Sequence, residues 1–131
     1  MATTLLLRDE TTSGQVLNEW SLECLTERIT VRELIRSRVY QEVQDYNLKR
    51  PEFFRGLVQP TDAEVSLNGF KLKKPRLLDW KPQFEKAVAA FEANQILILI
   101  NEHQADSLNE EIEIKSDTQV SFLRLTLLVG G

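Results

Sequence analysis

The stretch "TVRELIRSRVYQEVQDY", residues 30–46, constrains the fold more than any other part of the chain. Thr30 followed three residues later by Glu33 is a capping-box signature for a helix start. Val31, Leu34, Ile35, Val39, Val43 and Tyr46 then recur at helical spacing, so a helix of about four turns presents a single apolar stripe. A helix with one stripe needs one apolar surface to lie on. The preceding residues supply it. Segments 3–10 and 16–25 flank "TTSGQ", in which Ser13-Gly14 suits a tight hairpin turn. In the second segment Trp20, Leu22 and Cys24 share one face while Glu19, Ser21 and Glu23 share the other, the pattern of an amphipathic antiparallel pair.

The last third of the chain adds more strands. "QILILINEHQ" reads as a buried strand ending in a polar turn, and "SLNEEIEIKSDTQ" spaces Leu108, Ile112 and Ile114 for a short one. "VSFLRLTLLV" is the last. The order strand, strand, helix, strand, strand, strand predicts an α+β fold, one main helix packed across a mixed sheet with the last strand able to pair beside the first. Within that last strand Val120 and Phe122 point one way, Leu123, Leu125 and Leu127 the other. Either a bulge shifts the register or both faces are covered.

Residues 47–94 are too many to be left structureless in a compact domain. Asn68-Gly69 between Val65, Leu67 and Phe70, Leu72 predicts a hairpin over 64–73. Phe84, Ala87, Val88 and Phe91 predict one face of a helix over 82–93, with Asn94 as its stop. This insertion is expected to fold onto a single domain, 1–131, anchored by Phe53 and Phe54. Its helix is expected to cover the face of "ILILI" that the main helix leaves bare; the alternative is an exposed apolar patch serving a partner. Six of the seven lysines lie in the insertion, and a charge run of this kind is expected to be a solvated face.

Composition removes several classes of function. Apolar residues at 42% and charged residues at 27% are those of a globular domain rather than a disordered chain. An apolar run of five residues, Ile96 to Ile100, falls far short of the ~20 a spanning helix needs. Sixteen basic against twenty acidic residues, a formal charge of -4, lack the footprint of a nucleic-acid binder. Neither a membrane nor a nucleic acid is an expected partner. "MATTLLLRDETT" does not resemble a secretory signal, so a cytoplasmic location is expected. A lone Cys24 and a lone His103 cannot make a disulfide or the usual clustered zinc ligands, and no metal is expected. Cys24 is read as a core thiol, His103 as a surface-loop residue with no Cys or Asp partner in sequence that suggests catalysis, and Glu110 with Glu111 as the solvent face of a strand, where adjacent residues point to opposite sides. No nucleotide-binding loop or triad order is present, and no catalytic residue is assigned.

The segment Gln95 to Gly131 resembles the C-terminal half of ubiquitin: an apolar strand, a polar turn, a short strand, a last strand and a Gly-Gly tail. "TERITVRELIRSRV", Thr26 to Val39, is similar to the start of the ubiquitin helix. With the first hairpin, the resemblance to the ubiquitin-like family covers residues 3–46 and 95–131, by strand pattern more than by identity. It implies a β-grasp fold and a bacterial-type, stand-alone protein modifier. In that family an activating enzyme uses Mg-ATP to adenylate the terminal glycine carboxylate and passes it to a cysteine as a thioester. A conjugating enzyme then delivers it to target-protein lysines, and a deconjugating peptidase removes it. Carried onto this chain, the resemblance assigns conjugation to Gly130 and Gly131, with no cofactor bound by the modifier itself. Leu125, Leu127, Leu128, Val129 and Ile98 are expected partner-binding residues. Two glycines leave a carboxylate on backbone free of side chains, which a narrow site can admit. The same tail serves sulfur carriers, which end in a thiocarboxylate, and a non-covalent adaptor also stays open. Because "LTLLVGG" has no basic residue after Arg124, unlike the ubiquitin tail, a dedicated activating enzyme is implied.

Overall fold

A computed structural model describes residues 3–66, 69–74 and 76–125. Strands β1 (Thr3–Glu10) and β2 (Val16–Cys24) form the first hairpin, in register from Thr3 opposite Cys24 to Asp9 opposite Asn18. Gly14 supplies the turn's left-handed residue at φ 91°, and its N–H donates to the Thr11 carbonyl at 3.0 Å. Short β3 (Arg28–Thr30) leads directly into α1 (Val31–Lys49). The Thr30 hydroxyl accepts the Glu33 N–H at 3.1 Å, which satisfies one orphan donor of the first turn. At nineteen residues the helix outlasts the predicted stripe. It ends where Arg50 turns left-handed, its N–H bonding the Tyr46 carbonyl at 2.7 Å, immediately before Pro51.

The insertion contains hairpin β4 (Ala63–Ser66) and β5 (Gly69–Leu72), then α2 (Trp80–Glu92). Ser66 pairs with Gly69, so Gly69 of the predicted Asn68-Gly69 turn belongs to β5, while 67 and 68 lie outside the described residues. Helix α2 begins two residues before the predicted boundary. Asp79 accepts the Lys81 N–H at 3.1 Å, and Pro82 sits in the first turn, where its missing N–H costs no bond. Asn94 stops it as predicted, at φ 60°. The N–H groups of Asn94 and Gln95 bond back to Phe91 and Ala90 at 3.1 and 2.8 Å in a Schellman arrangement.

Strands β6 (Ile96–Ile100), β7 (His103–Gln104), β8 (Glu111–Glu113) and β9 (Gln119–Arg124) complete the chain's described elements. The main sheet has the order β2-β1-β9-β6-β7. Strand β9 lies at its centre, parallel to β1 with Leu7 opposite Val120, and antiparallel to β6 with Ile98 opposite Phe122. Both ladders keep register throughout, so the mixed phase of β9 needs no bulge: Val120 and Phe122 are buried inward, and Leu123 is half-buried on the other face. Strand β8 does not join this sheet. It pairs with β3, Ile29 opposite Ile112, because the carbonyls of Leu108 and Glu110 accept the Arg32 and Val31 N–H groups and draw this stretch to the start of α1.

One hydrophobic cluster joins the sheet, α1 and the insertion. The predicted stripe of α1 is entirely buried against Leu5, Leu7, Ile96, Ile98, Val120 and Phe122, each such side chain contributing about 1.5–3 kcal/mol relative to exposure. The insertion docks through Phe54, buried edge-on to Tyr46 at 5.5 Å, and through Asn47, whose side chain both accepts from the Leu78 N–H and donates to its carbonyl. Helix α2 lies along α1, with Trp80 edge-on to Tyr40 at 5.6 Å, and its buried Ala87 and Phe91 belong to the same core. The predicted cover over the opposite sheet face is therefore not its role: Leu97 and Leu99 on that face remain half-exposed.

At the centre of the domain sits a charge. Arg38, only 3% exposed, occupies a position on the apolar stripe of α1. Its guanidinium donates two hydrogen bonds to Asp9, at 2.7 and 2.9 Å, and Nε donates to Glu42 at 3.0 Å. The rings of Trp20 and Phe122 lie 4.7 and 4.5 Å from the guanidinium carbon. The other Glu42 oxygen accepts the Leu57 N–H at 3.1 Å, so the network reaches into the insertion. Two carboxylates share one cation, and burial outweighs Arg38 in holding the Glu42 carboxyl above its ordinary value of 4.5. Folded protein then holds that proton more tightly than the unfolded chain does. The stability Glu42 contributes is full below about pH 4.5 and is lost as pH rises through the higher folded value.

Two outcomes are expected. Arg38→Met strands the buried Asp9 carboxylate and the half-buried Glu42 carboxylate and lowers unfolding free energy by about 3–5 kcal/mol in urea titration. Measured across about pH 4 to 8, wild type loses stability relative to Glu42→Gln as pH rises; a level difference between the two would contradict the raised Glu42 carboxyl.

Candidate functional site

Strand β9 ends at Arg124, and the described residues end at 125. Arg124 pairs with Ile96 across the β6 ladder, and the Leu125 N–H donates to the Gln95 carbonyl at 2.8 Å. Arg124 Nη1 also donates to the Gly56 carbonyl at 3.2 Å, tying the strand end to the insertion. Residue 125 is thus a fixed root, held by the sheet on one side and by the insertion on the other. Gly130 and Gly131, assigned to conjugation, lie outside the described residues, as do Leu127, Leu128 and Val129. Leu125 is half-buried at the root itself.

Ile98 requires correction as a partner-binding residue. It is fully buried, because its side of β6 faces α1 and packs with Phe122, its ladder partner. The side of β6 that a partner can reach carries Leu97 and Leu99. Leu97 is paired with Leu123, and Leu99 with Ser121, so alternation places all four on the face away from the helices. Ser121 is covered there by a hydrogen bond to the Glu10 carboxylate. Arg8, opposite Ser121 on β1, is bound to Glu19 at 2.6 Å. The result is a small leucine surface beside the root of the last segment, bordered by a charged pair.

The other candidate residues lie apart from this root. Cys24 is buried, and burial pushes its thiol above the ordinary value, which keeps it protonated and unreactive. His103, expected in a surface loop, is an exposed residue of β7, and the fold brings two carboxylates to it. Its Nε2 lies 3.1 Å from Glu110 Oε2, with the Asp106 carboxylate close by. Glu110 precedes β8 instead of alternating with Glu111 inside it, because its own N–H is held by the Ser107 carbonyl at 3.2 Å. Sequence reasoning misses the Arg38 network, although its signals are visible: Asp9 continues the inward period of Leu5 and Leu7, and Arg38 and Glu42 are four apart on the core stripe. Among the described residues no helix is long and apolar enough to cross a membrane. No family model, curated protein or solved structure matches this chain.

The two faces of β6 predict unequal costs. Ile98→Ala is expected to lower unfolding free energy by about 2–5 kcal/mol, as for a fully packed core position. Leu99→Ala, half-exposed on the opposite face, should cost clearly less, and chemical denaturation of both variants measures the difference.

Proposed function

We propose that this chain is a ubiquitin-like protein modifier on a β-grasp fold, its Gly131 carboxylate adenylated by an ATP-dependent activating enzyme and joined to lysine amines of target proteins. One observation carries the reading: the last described strand lies at the centre of the sheet, parallel to the first, with α1 packed on it through Arg38 and the shared core, an arrangement consistent with a β-grasp. Residues 126–131 follow in sequence from Leu125, whose N–H is fixed on the Gln95 carbonyl. Six residues reach at most about 20 Å from it. Gly131, as the terminus or once freed by processing, then offers its carboxylate on a backbone without side chains. The half-exposed leucines beside the root give an activating or conjugating enzyme an apolar surface to hold while the carboxylate is in its active site.

The basic side chain nearest the glycines also bears on the partner. Arg124 is half-buried and spent on the Gly56 carbonyl, so an activating enzyme reading this tail has leucines and valine to recognise rather than guanidinium groups. That favours a dedicated enzyme set, acting where ATP is available, in the cytoplasm.

Expression in the native host followed by tryptic digestion and mass spectrometry tests the reading. Cleavage after Arg124 leaves "LTLLVGG" as a branch on modified lysines, and that remnant is expected on target peptides and lost when Gly130 and Gly131 are deleted. A thiocarboxylate on the free protein with no lysine remnant would instead identify a sulfur carrier. Activity surviving the deletion would leave only a non-covalent adaptor.

A further inference from the structure

Strand β7 and the turn that follows it gather the chain's single imidazole and two carboxylates at one point. A ring nitrogen of His103, an Asp106 carboxylate oxygen and a Glu110 carboxylate oxygen all lie within 4.8 Å of one another, and His103 Nε2 is 3.1 Å from Glu110 Oε2. Ligand atoms about 2.1 Å from a tetrahedral zinc ion are separated by roughly 3.4 Å. Small side-chain rotations therefore bring all three onto one ion. Two ionised carboxylates and a neutral imidazole match a divalent charge. Imidazole together with carboxylate is a donor set suited to zinc and its first-row neighbours, whereas calcium and magnesium are held by oxygen alone.

The backbone that carries these groups is fixed from both sides. His103 pairs with Ile100 in the sheet, and the Ala105 N–H donates to the Ile98 carbonyl at 2.8 Å. Ala105 and Leu108 are buried on either side of Asp106. Glu110 is held at its carboxylate by the Asp106 N–H at 2.9 Å, while its carbonyl accepts the Val31 N–H at the start of α1. The side chains themselves stay open to solution, His103 at 61% exposure and Glu110 at 24%. This is a rigid frame with an accessible mouth, which lets an ion enter while the ligands lose little freedom.

We propose that His103, Asp106 and Glu110 form a binding site for a divalent first-row transition ion of the zinc type. Coordination replaces the His103–Glu110 hydrogen bond: the imidazole Nε2 lone pair goes to the metal, any proton on it passes to solvent, and water fills the remaining positions. The ion joins β7 to the residue whose carbonyl caps α1, so its binding tightens the junction between sheet and main helix. This inference does not depend on the tail or on conjugation.

Zinc chloride titrated into the full chain near neutral pH, followed by calorimetry and by the ring signals of its one histidine, tests the site. Expected are one-to-one binding at a Kd between about 1 and 100 µM, a displaced histidine resonance and a rise in Tm. His103→Ala and Glu110→Gln, both changes at solvent-accessible side chains, should each weaken binding at least about tenfold. An unmoved histidine ring at about 1 mM zinc, affinity unchanged in His103→Ala, or displacement of zinc by an equal concentration of magnesium or calcium would each overturn the assignment.

Discussion

The guanidinium of Arg38 is the contact on which the arrangement of this molecule turns. It projects from the core stripe of α1, is forked onto Asp9 of β1, and lies between Trp20 of β2 and Phe122 of β9. A wholly apolar set in place of Arg38, Asp9 and Glu42 together could fill that volume with equal or better stability. It would not fix direction. A planar fork between two rings admits one rotation of the helix about its axis, and Glu42, one turn further along, transmits that rotation to the Leu57 N–H where the insertion enters. The position of α1 on the sheet and the docking of the insertion are thereby set by one hydrogen-bonded group.

Local pattern makes the elements legible, and long-range contact decides what they pack against. The Thr30 cap, the stripe of α1, the first hairpin and the Asn94 stop each depend on a few neighbouring residues, so their chemistry is written in short windows. The destination of α2 is not. Its apolar face fits either side of a sheet equally well, and the choice of the α1 side comes from Trp80 meeting Tyr40 and Arg36, and Phe54 meeting Tyr46, contacts between residues far apart in sequence. The same holds for β8: alternation marks it as a strand, but the carbonyls of Leu108 and Glu110 reaching α1 direct it to β3.

The candidate sites divide along the same line. Gly130 and Gly131 are conspicuous in sequence because their meaning is local. Ile98 misleads for the opposite reason, since "ILILI" is apolar on both faces and the pattern does not say which face the helix takes. Counting cysteines and histidines, the residues of closed structural zinc sites, passes over His103 and its carboxylates. Asp106 and Glu110 stand three and seven positions after His103, a spacing that shares a face on a helix; this stretch is not helical, and a turn folded back on itself brings the three together instead.

The central place of β9 has a mechanical consequence. A force applied along the chain beyond Leu125 is carried into two ladders at once, the parallel one to β1 and the antiparallel one to β6. Because the pull runs along the strand, the hydrogen bonds of both ladders are loaded in shear and must yield together, rather than opening one by one from an end as in a peeled edge strand. Any machine that seizes this molecule by its last segment therefore meets its greatest resistance at the first step.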